Sequence, residues 1–185
     1  MGVRIGSSAL AAACARSGAI GCISSVGLGS LEGSQTDYIR ESSKSLKIEI
    51  QKTRQLAPNG VIAVNVMVAL SNYNEIIKAC VEEKIDMIIS GAGLPLNLPE
   101  LTAGSNVKLV PVVSSGRAMN LILRTWHRRY QKMPDAVIVE GPLCGGHMAF
   151  TRDQLADPSS VPISSILKEV KQTLALIYNS YPWKP

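Results

Sequence analysis

The sequence is poor in aromatic residues. Its 185 residues include one phenylalanine, two tryptophans and five tyrosines, 4% aromatic in all. Single-stranded nucleic acid is held by basic grooves interleaved with stacking rings. This chain has no such platform, so nucleic acid is not an expected partner despite a net charge of +5. Histidine is scarcer still. His127 and His147 are the only two, which argues against a histidine-rich metal centre, and no metal is expected. Long apolar runs are missing. The run at 61–68 is broken by Asn65 and falls well short of the roughly 20 residues a membrane helix needs. No signal-peptide pattern opens the sequence, and no membrane association is expected. The four cysteines, Cys14, Cys22, Cys80 and Cys144, form no CxxC pair and no metal spacing. They read as free thiols of a reducing cytoplasm. Phosphate fingerprints are absent as well: no GxGxxG follows a strand and no GxxxxGK[ST] occurs.

What is present suits one domain over residues 1–185. Hydrophobic residues make up 46% and charged residues 18%, enough apolar material for a core. Short β-branched runs predict strands at Ile20–Ser24, Val61–Met67, Asp86–Ser90, Lys108–Val113 and Ala136–Glu140. Helical patterns lie before and between them. Ser7 or Ser8 caps a helix over Ala9–Ser17. Asp37 caps one reaching Leu56, with Leu46, Ile50 and Leu56 on one face. Ser71 or Asn72 caps a third, ending at Glu83, with Ile76, Ile77, Cys80 and Val81 inward. Pro95 and Pro99 keep the next loop extended. Arg117–Arg129 is helical, with Met119, Ile122, Leu123 and Trp126 as its core stripe and His127 on its exposed side, and Ile163–Ile177 is the last helix.

Buried runs separated by helices predict a parallel sheet with right-handed crossovers. Small or polar residues then collect at one edge. Ser24-Ser25, Asn65, Gly91-Ala92-Gly93, Ser114-Ser115 and the segment from Glu140 to His147 all follow, or come late in, a strand. In parallel α/β folds that carboxyl edge is where sites form. The densest segment is Val137-Ile138-Val139-Glu140-Gly141-Pro142-Leu143-Cys144-Gly145-Gly146-His147: a strand, a carboxylate, and a glycine-rich loop ending on histidine. Gly145-Gly146 lets backbone approach a ligand closely, and histidine is suited to proton transfer near neutral pH. A tight turn with a solvated histidine fits the same residues. Asn65 has two readings too, a satisfied core amide or an amide aimed at a ligand. Sheet closure is also open on these grounds. Five units suit an open doubly wound sheet slightly better than a barrel of eight strands and about 250 residues.

Several ordered segments carry a resemblance. They are Gly18-Ala19-Ile20-Gly21-Cys22-Ile23-Ser24, Val64-Asn65-Val66-Met67, Ser90-Gly91-Ala92-Gly93, Val110-Pro111-Val112-Val113-Ser114-Ser115 and Glu140 to His147. In this order the chain closely resembles the nitronate monooxygenases, formerly called 2-nitropropane dioxygenases. Their superfamily also holds the flavin-type enoyl-acyl-carrier-protein reductases. The resemblance implies a TIM barrel with FMN at its carboxyl rim. Met1 and Gly2 match the end of a segment that lies against the flavin, and Asn65 matches an amide contacting FMN. Glu140 holds a polar position where the family has Gln or Glu. Gly145, beside Gly146, matches a glycine whose backbone approaches the flavin. Gly91 and Ser114 match the same rim, and His147 matches the active-site histidine. Cys144 stands where a small residue is common and reads as a space-filler.

The family's first strand falls before Met1, and its last two strands, whose loops bind the FMN phosphate, fall after Pro185. The expectation is therefore an α/β partial barrel of about five strand-helix units, lacking the first and the last two strands. Val64, Val66 and Val112 are expected to face its interior. The implied activity is FMN-dependent oxidation of alkyl nitronates to carbonyl compounds and nitrite with O2. The expected partners are a nitronate or nitroalkane and O2, with a homodimer left open. The alternatives are an NADH-dependent, flavin-type enoyl-acyl-carrier-protein reductase and a non-catalytic remnant.

Overall fold

The computed structural model describes residues 3–29, 34–147 and 149–180. Five strands form one parallel sheet in sequence order: β1 (Gly21–Ser24), β2 (Ile62–Met67), β3 (Met87–Gly91), β4 (Lys108–Val113) and β5 (Ile138–Val139). The helices are α1 (Ser8–Arg16), α2 (Gln35–Leu56), α3 (Tyr73–Glu82), α4 (Leu98–Leu101), α5 (Gly116–Tyr130), α6 (Arg152–Ala156) and α7 (Ile163–Ser180). The sheet curls into a half-barrel carrying its helices on the outside. No helix among the described residues is long and apolar enough to cross a membrane.

Alternation along the strands separates two faces. Ile23, Ile62, Val64, Val66, Ile88, Leu109 and Val113 join the core formed with the helices. Met119, Ile122, Leu123 and Trp126 of α5 meet that core, each 0% exposed. Val64 therefore faces the helices, at 0% exposed, and not the interior as expected, while Val66, at 1% exposed, packs in the same core and also borders the concave side. With Asn65 turned inward, its neighbour Val64 along β2 must point outward. Gly21 shows how close the outer layer comes: a Cβ there would stand 2.1 Å from the Ala11 carbonyl oxygen of α1.

The amino ends of the strands carry a repeated fastening. Asp86, just before β3, accepts from the Ile62 N–H at 2.8 Å and pairs with Arg54 at 2.8 Å. Asp135, before β5, accepts from the Leu109 N–H at 2.9 Å and pairs with Lys108 at 3.1 Å. These carboxylates satisfy strand-end donors that would otherwise be orphaned. The amino edge is thus structural, and the carboxyl edge is left for chemistry.

Several local expectations are revised by the packing. The cap of α2 is Ser34, whose hydroxyl accepts from the Asp37 N–H at 3.2 Å; Asp37 answers from the third helical position to complete a capping box. Leu56 is 47% exposed, and Ser42 and Thr53 complete the buried stripe with Leu46 and Ile50. Neither Ser7 nor Asn72 makes a side-chain cap. Glu49 of α2 instead accepts from the Ser8 N–H at 2.7 Å, and Asn72 donates to Ser42 Oγ at 2.9 Å. Pro99 lies in the first turn of the short helix α4, where the lost N–H is not needed. The Pro95 carbonyl accepts from Trp126 Nε1 at 2.9 Å. His127 is half-buried, not fully exposed.

Candidate active site

The concave face of the sheet opens at its carboxyl edge into a cavity of about 620 Å³. Strands supply its floor. β1 gives Cys22 and Ser24, β2 gives Asn65 and Met67, and β3 gives Ile89 and Gly91. Val112 comes from β4 and Ile138 from β5. The register explains the selection: Ser24 pairs with Asn65, Asn65 with Ile89, Met67 with Gly91, and Val112 with Ile138. Alternate residues on neighbouring strands therefore stand side by side. One wall is Val3, Ile5 and Gly6, with Leu10 from α1, and the other is Glu140 with Gly145, Gly146 and His147.

Asn65, Gly91, Glu140, Gly145, Gly146 and His147 thus line one cavity. Ser114, just past β4, is outside its lining. Met1 and Gly2 lie outside the described residues. Each placement has a local cause. Asn65 sits mid-strand, and its Nδ2 donates to the Ile89 carbonyl at 3.2 Å, which fixes the amide plane. Glu140 follows β5, and its backbone N–H continues the ladder by donating to the Val113 carbonyl at 2.9 Å. Gly146 has φ +98, a backbone region that favours glycine and turns the chain toward His147. His147 is exposed on that loop. Gly91 is needed by packing, since a Cβ there would stand 2.9 Å from Val112 Cβ. Gly145 is different: among the described residues beyond its two chain neighbours, nothing lies within 4 Å of the position its Cβ would take. Packing does not demand that glycine, and the space beside it is open for a ligand.

The thiols are held protonated. Burial pushes the Cys22 thiol up. Partial burial and the neighbouring Glu140 carboxylate together raise that of Cys144. The thiolate is the reactive form, so both are poor nucleophiles at neutral pH. Beyond the expected residues, the cavity is lined by Ser24 and by a set of apolar side chains. Strand parity, once Asn65 is placed inward, would have selected Cys22, Met67, Ile89 and Val112. Nothing local marks Val3, Ile5 or Leu10, which reach the cavity because the segment before α1 lies over β1, with the Ser24 N–H donating to the Gly6 carbonyl at 2.8 Å.

No family model matches this chain, and neither does any curated protein. Solved structures do. FabK from Thermotoga maritima matches with a TM-score of 0.68 and 25% identity, over 91% of this chain and 44% of that one. A nitroalkane oxidase from Streptomyces ansochromogenes matches with a TM-score of 0.70 and 15% identity, over 94% of this chain and 54% of that one. The FabK match agrees with the relationship read from the ordered motifs, and the nitroalkane oxidase shares the fold. The chain spans about half the length of these structures.

Proposed function

We propose that this chain carries the carboxyl-rim site of an FMN-dependent nitronate monooxygenase. The observation that supports the reading is the convergence of Asn65, Glu140, Gly145, Gly146 and His147 on one cavity otherwise lined largely by apolar side chains. The residues suit a flavin. The cavity is of cofactor size, Gly145 leaves open the space a Cβ would fill, and Ser24 brings a buried hydroxyl with no partner among the described residues. Asn65, Gly91, Glu140, Gly145 and Gly146 would hold the ring.

FMN bound there supplies the redox chemistry that turns an alkyl nitronate into a carbonyl compound and nitrite, with O2 as the electron acceptor. The chain's own groups do the rest. His147 takes a proton from the carbon beside a nitro group, or donates a hydrogen bond to the nitronate oxygens, from an exposed loop at the cavity mouth. The wall formed by Val3, Ile5 and Leu10, with Ile138 of the floor, favours the alkyl part of the substrate and limits water. Four free cysteines suit a reducing cytoplasm.

A second reading has its own support. FabK, a flavin-type enoyl-acyl-carrier-protein reductase, has the higher identity of the two neighbours, 25% against 15%. Oxygen uptake with an alkyl nitronate and FMN separates the readings from NADH loss with an enoyl thioester and FMN. Nitronate-dependent uptake with nitrite release is the expected result. NADH loss without it would transfer the assignment to the reductase, and neither activity would leave a non-catalytic protein.

A further inference from the structure

Ser24 closes β1 and stands beside Asn65 in the parallel register. It is 3% exposed, and its Oγ is shielded with no hydrogen-bond partner among the described residues. A hydroxyl can donate one hydrogen bond and accept two, and a buried one left unpaired is costly. Ser43 Oγ and Asn72 Oδ1 share that condition, but only Ser24 lines the cavity. Its direction follows from its neighbour. Ile23 packs in the helix-facing core at 0% exposed, so alternation turns Ser24 to the concave face with Cys22. The next residue makes the contrast plain. Ser25, outside the cavity lining, is satisfied by donating its hydroxyl to the Asn65 carbonyl at 2.8 Å. The serine that meets the cavity is the unsatisfied one.

Asn65 completes the arrangement. One of its two Nδ2 N–H groups is taken by the Ile89 carbonyl, which leaves Oδ1 as an acceptor and one N–H as a donor, and the acceptor is the end that complements the Ser24 hydroxyl. Neighbouring strands lie about 4.8 Å apart. The two residues that carry the hydroxyl and the amide are therefore about one strand spacing apart at the backbone, on a floor otherwise formed by Met67, Ile89, Val112 and Ile138. Such a pair matches a ring edge on which donor and acceptor alternate, as in a cyclic imide. The geometry points to Ser24 as a ligand-positioning residue. Its hydroxyl, with Asn65 Oδ1, receives the imide edge of a planar heteroaromatic ring. This rests on the flavin reading, in which that edge is the pyrimidine side of the ring system.

Lumiflavin, the flavin ring without its ribityl phosphate, tests the contact free of any phosphate anchor. The unaltered chain, Ser24→Ala and Ser24→Cys are titrated by fluorescence, and their thermal midpoints are compared. Ser24→Ala is expected to weaken lumiflavin binding about 3- to 10-fold, the worth of one neutral hydrogen bond. Its thermal midpoint should be unchanged or higher, because no hydrogen bond within the chain is lost. Ser24→Cys keeps the side-chain size without the strong donor and should weaken binding likewise. Equal affinity in all three, or a lowered midpoint in Ser24→Ala, overturns the Ser24 assignment while leaving the flavin reading intact. No binding of lumiflavin by the unaltered chain overturns the flavin reading and this inference with it.

Discussion

Asn65 is tied to Ile89, its register partner on the next strand, by a 3.2 Å hydrogen bond from side-chain amide to backbone carbonyl. The strand ladder thereby orients a polar group inside an apolar floor. Asn65→Ala removes both the tether and the acceptor it presents. It should cost about 1 kcal/mol of stability and weaken flavin-ring binding about tenfold, with the circular dichroism spectrum unchanged. A titration with FMN alongside a thermal melt checks this. Unchanged affinity in a folded variant would make Asn65 a purely structural amide.

His147 stands on an exposed loop and contributes no buried packing. His147→Ala should leave the melting temperature within error. General acid–base groups are worth about 10²–10⁴-fold, so nitronate turnover should fall by that order while FMN affinity is kept. Single-turnover rates with FMN bound provide the measurement. Near-normal rates would return His147 to the status of a solvated turn residue.

Cys144 and Glu140 form a testable electrostatic pair. Partial burial and the Glu140 carboxylate both raise the thiol's pKa. Glu140→Gln removes the negative charge, so the thiol should ionise at lower pH. The rate of Cys144 alkylation by iodoacetamide, followed by mass spectrometry across pH 6–10 (roughly the range around an ordinary thiol pKa), should then rise at lower pH than in the unaltered chain. An unshifted profile would show that Glu140 does not govern the thiol.

Gly21→Ala places a methyl 2.1 Å from the Ala11 carbonyl oxygen, which is backbone and cannot rotate away. Helix α1 must move off β1 at a cost of about 1–3 kcal/mol. Leu10 rides on that helix and lines the cavity, so ligand affinity should fall together with stability. Urea unfolding and FMN titration read the two effects. A fully stable Gly21→Ala would mean that α1 packs less closely than the contact implies.

The sequence by itself determined the order and type of the main elements. Continuous β-branched runs and the 3.6-residue stripe of Met119, Ile122, Leu123 and Trp126 are local patterns, and burial of one face follows from them directly. It also marked Asn65, Glu140 and His147, because polar residues placed in or just after apolar strands are conspicuous. Periodicity could not decide between an open sheet and a barrel. Closure depends on strand tilt and stagger, which no local window contains, and only the ordered motifs pointed to the barrel. Tertiary structure decided the rest. Ser34 and Asp37 are both capping types three residues apart, and only the fold shows whose oxygen serves as the cap. Val64 is as apolar as any inward residue, and the side it faces was set by the inward turn of Asn65. A serine in a strand reads the same whether or not its hydroxyl is paired. The unmet hydrogen bond of Ser24 became visible only when Gly6, Ile23 and Asn65, distant in the chain or pointing elsewhere, were brought around it.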